Sequence, residues 1–128
     1  MNKTEISTDK APKAIGPYSQ AITVNGMLYA SGQIPIDPAS GQIVSDDITA
    51  QTRRALDNVG ALLAACKLDY SDVVKTTVFL TDLNDFATVN GIYGEYFRQP
   101  YPARSCVQVA KLPKDVKIEI EIVAKLRS

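Results

Sequence analysis

The chain has 128 residues, 45% of them hydrophobic, which is enough for one domain over residues 1–128 with a buried core. Its 14 basic and 14 acidic residues balance to a net charge of zero, so neither nucleic acid nor an anionic membrane is predicted as a partner. No apolar run approaches the roughly 20 residues that span a bilayer. With no secretory signal and only two distant cysteines, Cys66 and Cys106, a reduced cytoplasmic setting is predicted.

The first part of the chain is predicted to be an irregular arm followed by a β-hairpin. Residues 1–17 are polar and end in prolines and a glycine, which is typical of irregular structure. Residues 20–24 and 27–31 are short extended runs joined by Asn25-Gly26, a pair that favours the tight turn of a hairpin. Residues 32–41 contain two prolines and two glycines and are predicted to be a loop.

A helix is predicted over residues 48–66, where the apolar residues recur at spacings of three and four. This stripe consists of Ala55, Leu56, Val59, Leu62, Leu63 and Cys66. Asp46 and Asp47 precede it and provide an N-terminal cap with a favourable charge at the positive end of the helix dipole. The β-branched run over residues 73–81 then predicts a strand.

A second helix is predicted to begin after residues 82–85. Its apolar stripe consists of Phe86, Val89, Tyr93 and Phe97. Gly91 and Gly94 weaken this helix intrinsically, so we expect its backbone to pack closely against another part of the protein. Two more strands are predicted over residues 104–109 and 117–126.

The predicted order is therefore β-β-α-β-α-β-β, which indicates an α+β fold in which one mixed sheet carries both helices on one face. The last strand alternates three isoleucines with charged residues, whereas the strand over residues 73–81 is apolar on both sides. The uncovered face of the sheet is then either a surface for self-association or a partly apolar monomer surface.

Arg104 is the first candidate site residue, because a guanidinium on a strand is suited to bind a planar anion such as a carboxylate. Alternation places Arg104, Cys106 and Gln108 on one face of their strand. If the last two strands form an antiparallel pair, Cys106 lies opposite Glu119 and Arg104 lies opposite Glu121. Arg104 is then either an anion-binding group or one partner of a cross-strand salt bridge.

Each of the remaining candidate site residues also has a purely structural interpretation. The chain contains no histidine and no Cys-x-x-Cys motif, so Cys106 is predicted to be a half-buried thiol whose sulfur is not activated. Tyr18 is either a packing aromatic residue or part of a site. Gly32 either forms a turn or allows a backbone N–H to approach a bound anion. Neither a phosphate-binding loop nor metal-ligand spacing is present in the sequence.

Six segments that cover nearly the whole chain make it similar to the RidA/YjgF family of enamine and imine deaminases. They are residues 14–18 (AIGPY), 31–35 (SGQIP), 74–79 (VKTTVF), 82–86 (DLNDF), 102–107 (PARSCV) and 112–119 (LPKDVKIE). The segments occur in the order and at the spacing of the family, and together they are far more specific than any one of them alone.

The resemblance implies a chorismate-mutase-like fold that assembles as a homotrimer, with the sheets around a central barrel and three clefts between subunits. It implies hydrolysis of 2-aminoacrylate, 2-iminopropanoate and 2-iminobutanoate to 2-keto acids and ammonia without a cofactor or metal. Pyridoxal-phosphate enzymes such as serine/threonine dehydratases release these reactive compounds, so the family's activity is protective.

The resemblance also implies roles for individual residues. Arg104 would grip the substrate carboxylate with help from the Gly32 backbone N–H, beside Ser31. Glu119 would orient and polarise the attacking water, assisted by the main chain of Cys106. Tyr18 and Asn90 would complete the substrate site.

Two other functions are compatible with the same sequence. One is a 2-keto-acid-binding or chaperone-like regulatory module, because the groups that bind a keto acid are the groups that hydrolyse its imine. The other is an endoribonuclease or translation inhibitor, a role attributed to some family members. The zero net charge and the lack of a basic, aromatic stripe are evidence against RNA binding.

Overall fold

A computed structural model describes residues 2–127 of the chain. Its helices and strands, in chain order, are β1 (Thr4–Ile6), β2 (Ala21–Val24), β3 (Met27–Ala30), α1 (Ile48–Ala65), β4 (Val73–Leu80), α2 (Phe86–Tyr96), β5 (Ala103–Gln108) and β6 (Ile118–Lys125). The strands form a six-stranded sheet in the order β1-β2-β3-β6-β4-β5. The two predicted helices and the predicted hairpin are confirmed to within about two residues at each end.

The N-terminal arm differs from the prediction, because Thr4–Ile6 is a strand rather than irregular chain. It pairs antiparallel with β2, and Glu5 lies opposite Ile22. A three-residue strand is too short to show a periodicity that a sequence pattern can detect. It forms because the outer edge of β2 offers unpaired backbone groups, so its cause is tertiary.

Helix α1 is capped at its N-terminus by Asp47, whose carboxylate accepts a hydrogen bond from the Ala50 N–H at 2.9 Å. A cap of this kind contributes about 1 kcal/mol to helix stability. The apolar stripe of α1 lies against β6 and is buried, while Cys66 at the C-terminal cap is only partly buried. Asn58, buried on the same helix, donates to the carbonyls of Ile34 and Ile36 at 3.0 Å and so fastens the loop after β3 to the helix.

The sheet is mixed because α2 is the crossover between two parallel strands. Strands β4 and β5 pair in parallel, with Thr76 opposite Arg104 and Val78 opposite Cys106. Strand β6 then lies between β3 and β4 and is antiparallel to both. The prediction that the last two strands form an antiparallel pair is therefore wrong. The β4-α2-β5 crossover places β5 beside β4 at the edge, and β6 inserts on the other side of β4.

Both helices cover the same face of the sheet, as predicted. On this face β6 contributes Ile118, Ile120 and Ile122, all at most 2% exposed. A bulge between Val73 and Lys75 shifts the alternation of β4, so Val73 is buried while Val74 is 44% exposed. Strand β4 is apolar on both sides, as predicted, but the bulge moves Val74 to the open face, where it joins Phe79.

The expected close packing of the α2 backbone is wrong within the described chain. Gly91 and Gly94 are exposed, and a Cβ added to either would have no heavy atom within 4 Å in residues 2–127. Neither helix, in the part of the chain that is described, has the length and hydropathy needed to cross a membrane.

Candidate active site

Arg104 lies in a cleft of about 440 Å³ at the edge of the sheet, on the face that carries the helices. We call this the arginine cleft; it is lined by Asn90, Tyr93, Gly94, Tyr101, Pro102 and Arg104. Strand β5 positions the arginine through its pairing with Thr76, and α2 supplies the opposite wall. The structure therefore brings Arg104 and Asn90 together, as the family resemblance implies.

The guanidinium of Arg104 is held by neutral groups. Its Nη1 donates to Asn90 Oδ1 at 2.7 Å, and its Cζ lies 4.8 Å from the ring centroid of Tyr93 and 5.4 Å from that of Phe86. Within residues 2–127, no carboxylate lies within 4 Å of this guanidinium, whereas Arg53 is paired with Glu95. The intrachain salt bridge is thus not formed, and the geometry favours an anion-binding role.

Cys106 lies on the same face of β5 as Arg104 and packs partly against the hydrophobic core. Burial raises the pKa of its thiol, and the nearby charge of Arg104 opposes this only in part. Both cysteines are free thiols. A thiol that remains protonated is a poor nucleophile, which agrees with the prediction that the sulfur of Cys106 is not activated.

Glu119 lies in a different cleft, of about 520 Å³, on the face of the sheet that the helices leave open. We call this the glutamate cleft; it is lined by Pro12, Lys13, Ile15, Tyr18, Gln20, Ser31, Gly32, Gln33, Ile34, Ile36, Pro113, Lys114 and Glu119. Burial, and to a smaller extent the charge of Glu121, raises the pKa of the Glu119 carboxyl. A raised pKa suits a carboxyl for acid-base work near neutral pH.

Gly32 lies directly against this carboxyl. A Cβ at position 32 would overlap Glu119 Oε2 and would lie 2.7 Å from its Cδ and 2.9 Å from its Cγ. The Gly32 N–H has no hydrogen-bond acceptor within residues 2–127, so it remains able to donate to a bound oxygen. Here the glycine lets the Glu119 side chain lie close to the backbone, while its role in binding an anion stays a prediction.

Tyr18 and Ser31 line the same cleft in different ways. The Tyr18 side chain is 51% exposed at the rim, next to Ile15, which is 80% exposed. The Ser31 hydroxyl donates to the carbonyl of Ser19 at 2.7 Å, so this interaction closes the loop against the end of β2. Ser31 therefore shapes the cleft within the chain, and its hydroxyl proton is already engaged.

Within one chain, Arg104 and Glu119 lie on opposite faces of the sheet. Arg104 is opposite Thr76, which is fully buried beneath α2, whereas Glu119 is opposite Phe79 and projects from the open face between Ile118 and Ile120. The two clefts share no lining residue. The predicted pairs Cys106–Glu119 and Arg104–Glu121 are therefore both wrong, because β4 separates the two strands that carry them.

Sequence reasoning missed two aromatic residues of the arginine cleft region as site residues. Phe86 and Tyr93 were assigned only to the apolar stripe of α2, although their rings contact Arg104. Asn90 lies between them at helical spacing, so the three side chains share one face of α2. A polar amide inside an otherwise apolar stripe was the available signal that this face contributes to a site. Lys114, in the glutamate cleft, carried no such signal.

Within residues 2–127, no three side chains of the His, Cys, Asp and Glu types cluster in a way that could hold a metal ion. What the arrangement can do chemically is bind an anion at Arg104 and exchange protons at Glu119.

Comparison with known proteins gives consistent results. The family described as Endoribonuclease L-PSP matches residues 8–126. The chain is 55% identical to the 2-iminobutanoate/2-iminopropanoate deaminase of Salmonella typhimurium, covering 99% of this chain and 100% of that one. The Rid family protein YyfA from Yersinia pestis has a similar structure, with a TM-score of 0.96, 50% identity and coverage of 98% and 100%. Escherichia coli TdcF, solved with bound serine, has a TM-score of 0.90, 51% identity and coverage of 98% and 99%.

Proposed function

Since the chain belongs to the Endoribonuclease L-PSP family, the RidA/YjgF family that its motifs resemble, we propose that it is an imine deaminase of the cytoplasm. It hydrolyses 2-aminoacrylate, 2-iminopropanoate and 2-iminobutanoate to the 2-keto acid and ammonia. The observation that carries this proposal is the Arg104 guanidinium, which faces a cleft without a carboxylate partner in residues 2–127. A 2-imino acid offers the missing carboxylate.

The proposed substrate position follows from the donors that the protein leaves available. Arg104 binds the carboxylate of the imino acid as a bidentate fork, and the Gly32 N–H donates to the same end of the molecule. Asn90 fixes one side of the guanidinium, and Tyr18 covers the bound substrate. Cys106 contributes through the main chain of an edge strand, where alternate backbone groups are unpaired within the chain.

Glu119 supplies the acid-base chemistry. Starting from the protonated imine, the Glu119 carboxylate takes a proton from water as the water oxygen bonds to the C=N carbon, and the π electrons move to nitrogen. The protonated carboxyl then returns this proton to the amine nitrogen. Ammonia leaves as the C–N bond breaks, and the Glu119 carboxylate accepts the hydroxyl proton as the keto group forms and passes it to the released ammonia. Positioning and modest proton transfer are sufficient, because imines hydrolyse readily.

The position of the two clefts supports a site that is shared between copies of the chain. One chain cannot place Arg104 and Glu119 on one substrate, since they lie on opposite faces of its sheet. Each cleft has large exposed apolar side chains: Tyr101, 54% exposed, at the arginine cleft, and Ile15, 80% exposed, at the glutamate cleft. The two surfaces differ, and we infer that they meet head-to-tail, the kind of contact that forms a ring where its rotation closes. We propose that the ring is a homotrimer with one site at each interface.

The experiment that tests the activity generates 2-aminoacrylate with a serine dehydratase and follows the appearance of pyruvate. We expect the protein to accelerate pyruvate formation over the uncatalysed background, with no RNA cleavage by the same preparation. An unchanged rate combined with saturable binding of 2-oxobutanoate would replace the deaminase by a keto-acid-binding module. RNA cleavage that survives rigorous purification and falls in site variants would support the nuclease instead.

Glu119→Gln is expected to remove the pH dependence that its carboxyl imposes. The pKa of Glu119 is raised above its ordinary value, and the base must be ionised to accept a proton from water. In the wild type, kcat should therefore fall as the pH is lowered through this raised pKa, above the ordinary value of about 4.3. The glutamine variant should be slower by about 100-fold and should lack that limb of the kcat profile. An unchanged profile would assign the acid-base role to another group.

Gly32→Ala is expected to displace the Glu119 carboxylate and to lower kcat by about 10- to 100-fold, because the added Cβ occupies the position of Oε2. Gly91→Ala is the matched control. It adds the same methyl group on an exposed helix surface where nothing within the described chain is near it, and it should retain full activity. Steady-state kinetics of both variants, with circular dichroism to check folding, makes the comparison. Equal activity of the two would contradict the proposed position of Glu119.

A further inference from the structure

We propose that Tyr93 is a positioning residue for Arg104, and that its ring, which the guanidinium contacts, determines how tightly that guanidinium binds the substrate carboxylate. This inference rests on the proposed function, because it assigns Arg104 to substrate binding. It adds a residue that acts through Arg104 rather than on the reacting atoms.

Geometry places the Tyr93 ring under the guanidinium. The Arg104 Cζ lies 4.8 Å from the centroid of the Tyr93 ring, within the range of a cation–π contact. Phe86 adds a second, more distant ring at 5.4 Å. Asn90, between them on α2, accepts from Arg104 Nη1 at 2.7 Å. One helix face thus supplies two apolar rings and one acceptor, and no group that neutralises the charge.

Tyr93 itself is rigidly held. Its side chain is only 6% exposed, and its hydroxyl is hydrogen-bonded to Thr76 Oγ1 at 2.8 Å. The Phe97 ring packs on it with centroids 4.4 Å apart. Burial raises the pKa of the Tyr93 phenol, so it remains a neutral hydrogen-bonding group across the pH range of the reaction. Thr76 is also the residue of β4 that lies opposite Arg104 of β5. The tyrosine and the arginine are therefore both anchored at the same residue of the sheet.

The N–H donors of Arg104 that do not bond to Asn90 are available to the substrate carboxylate. A guanidinium has five N–H donors, and within residues 2–127 that of Arg104 donates from Nη1 to Asn90. Contact with the Tyr93 ring and the hydrogen bond to Asn90 restrict the guanidinium, so its other donors are positioned before the carboxylate arrives. Such pre-organisation lowers the entropy lost on binding and improves affinity without a new contact to the ligand.

The test measures the dissociation constant of 2-oxobutanoate, a stable keto acid, by calorimetry alongside steady-state kinetics with the imine. Tyr93→Leu should weaken 2-oxobutanoate binding and raise KM by about 5- to 30-fold, the change expected for a lost cation–π contact that is partly desolvated. Tyr93→Phe keeps the ring and should stay within about threefold of the wild type. Tyr96→Phe, on the same helix with its hydroxyl 3.0 Å from Asp57, is the control and should bind normally.

A double-mutant cycle separates positioning from a structural role. In an Arg104→Ala background, Tyr93→Leu should cause no further loss of 2-oxobutanoate affinity, because the ring acts through the guanidinium. If the same loss persists without Arg104, or if folded Tyr93→Leu binds 2-oxobutanoate as the wild type does, the proposal is wrong. Should Tyr93→Leu fail to fold, Phe86→Leu replaces it. This variant is expected to bind 2-oxobutanoate about 2- to 5-fold more weakly than the wild type.

These outcomes are distinguishable from failure of the proposed function. Calorimetry with 2-oxobutanoate reports on Arg104 whether or not the protein hydrolyses imines. Absence of pyruvate formation with normal, Tyr93-dependent binding would overturn the deaminase and leave the positioning role. Normal hydrolysis of the imine, combined with 2-oxobutanoate binding that does not depend on Tyr93, would keep the deaminase and overturn the positioning role.

Discussion

Replacing Arg104 with alanine is expected to lower kcat/KM for 2-iminopropanoate by about 1000-fold. The reason is the loss of two charge-assisted hydrogen bonds to the substrate carboxylate, each contributing about 2 kcal/mol, with tenfold in rate for about every 1.4 kcal/mol. Arg104 is exposed and its hydrogen bond to Asn90 is at the surface, so folding should be unaffected. Coupled assays with a dehydratase measure the rate, and thermal unfolding checks the stability.

Arg104→Lys is the matched control for charge. Lysine keeps the positive charge but offers a point cation in place of a planar fork, so we expect it to recover only a small part of the lost kcat/KM. Full recovery by lysine would reduce the role of Arg104 to general electrostatic attraction. If Arg104→Ala had wild-type kinetics, Arg104 would not bind the substrate carboxylate. The main support for the proposed substrate would then be lost.

Mixing two inactive variants is expected to restore activity. If each site takes Arg104 from one chain and Glu119 from its neighbour, random assembly of equal amounts of Arg104→Ala and Glu119→Ala chains gives intact sites at about a quarter of the interfaces. The mixture should therefore reach about a quarter of the wild-type rate. Each variant assayed alone should be at least about 25-fold slower than the mixture. Refolding the two chains together, with separately refolded variants as references, makes the measurement.

A shared site also predicts the result of a second mixture. Wild-type chains mixed equally with the Arg104→Ala/Glu119→Ala double variant should drop from about half of the full rate to about a quarter as subunits exchange. Sites contained within one chain would instead show no recovery in the first mixture and no drop in the second. Sedimentation as a monomer under assay conditions would equally contradict sites at interfaces between copies.

The secondary structure was largely readable from the sequence because its determinants are local. The apolar stripe of α1, the Asp47 cap and the Asn25-Gly26 turn each act over a few residues. The exceptions have non-local causes. Strand β1 exists because β2 offers an edge, and Val74 is exposed because a bulge shifts the register of β4 against β6.

The candidate site was readable only in part. Alternation correctly placed Arg104, Cys106 and Gln108 on one face of β5, since that depends on the pleat of a single strand. It could not say which strand β5 pairs with, and an adjacent antiparallel partner was assumed. That assumption joined Glu119 to Cys106, two groups that the sheet in fact holds on opposite faces.

The sequence by itself determined which residue types are available for chemistry, the positions of both helices, and membership of a family that six motifs identify. These are properties of local spacing and of residue identity. Only the tertiary structure decided that β5 is a parallel edge strand, that Tyr93 lies under Arg104, and that Arg104 and Glu119 face apart. Strand order depends on contacts between residues far apart in the chain, and a period-two pattern carries no information about which partner a strand will choose.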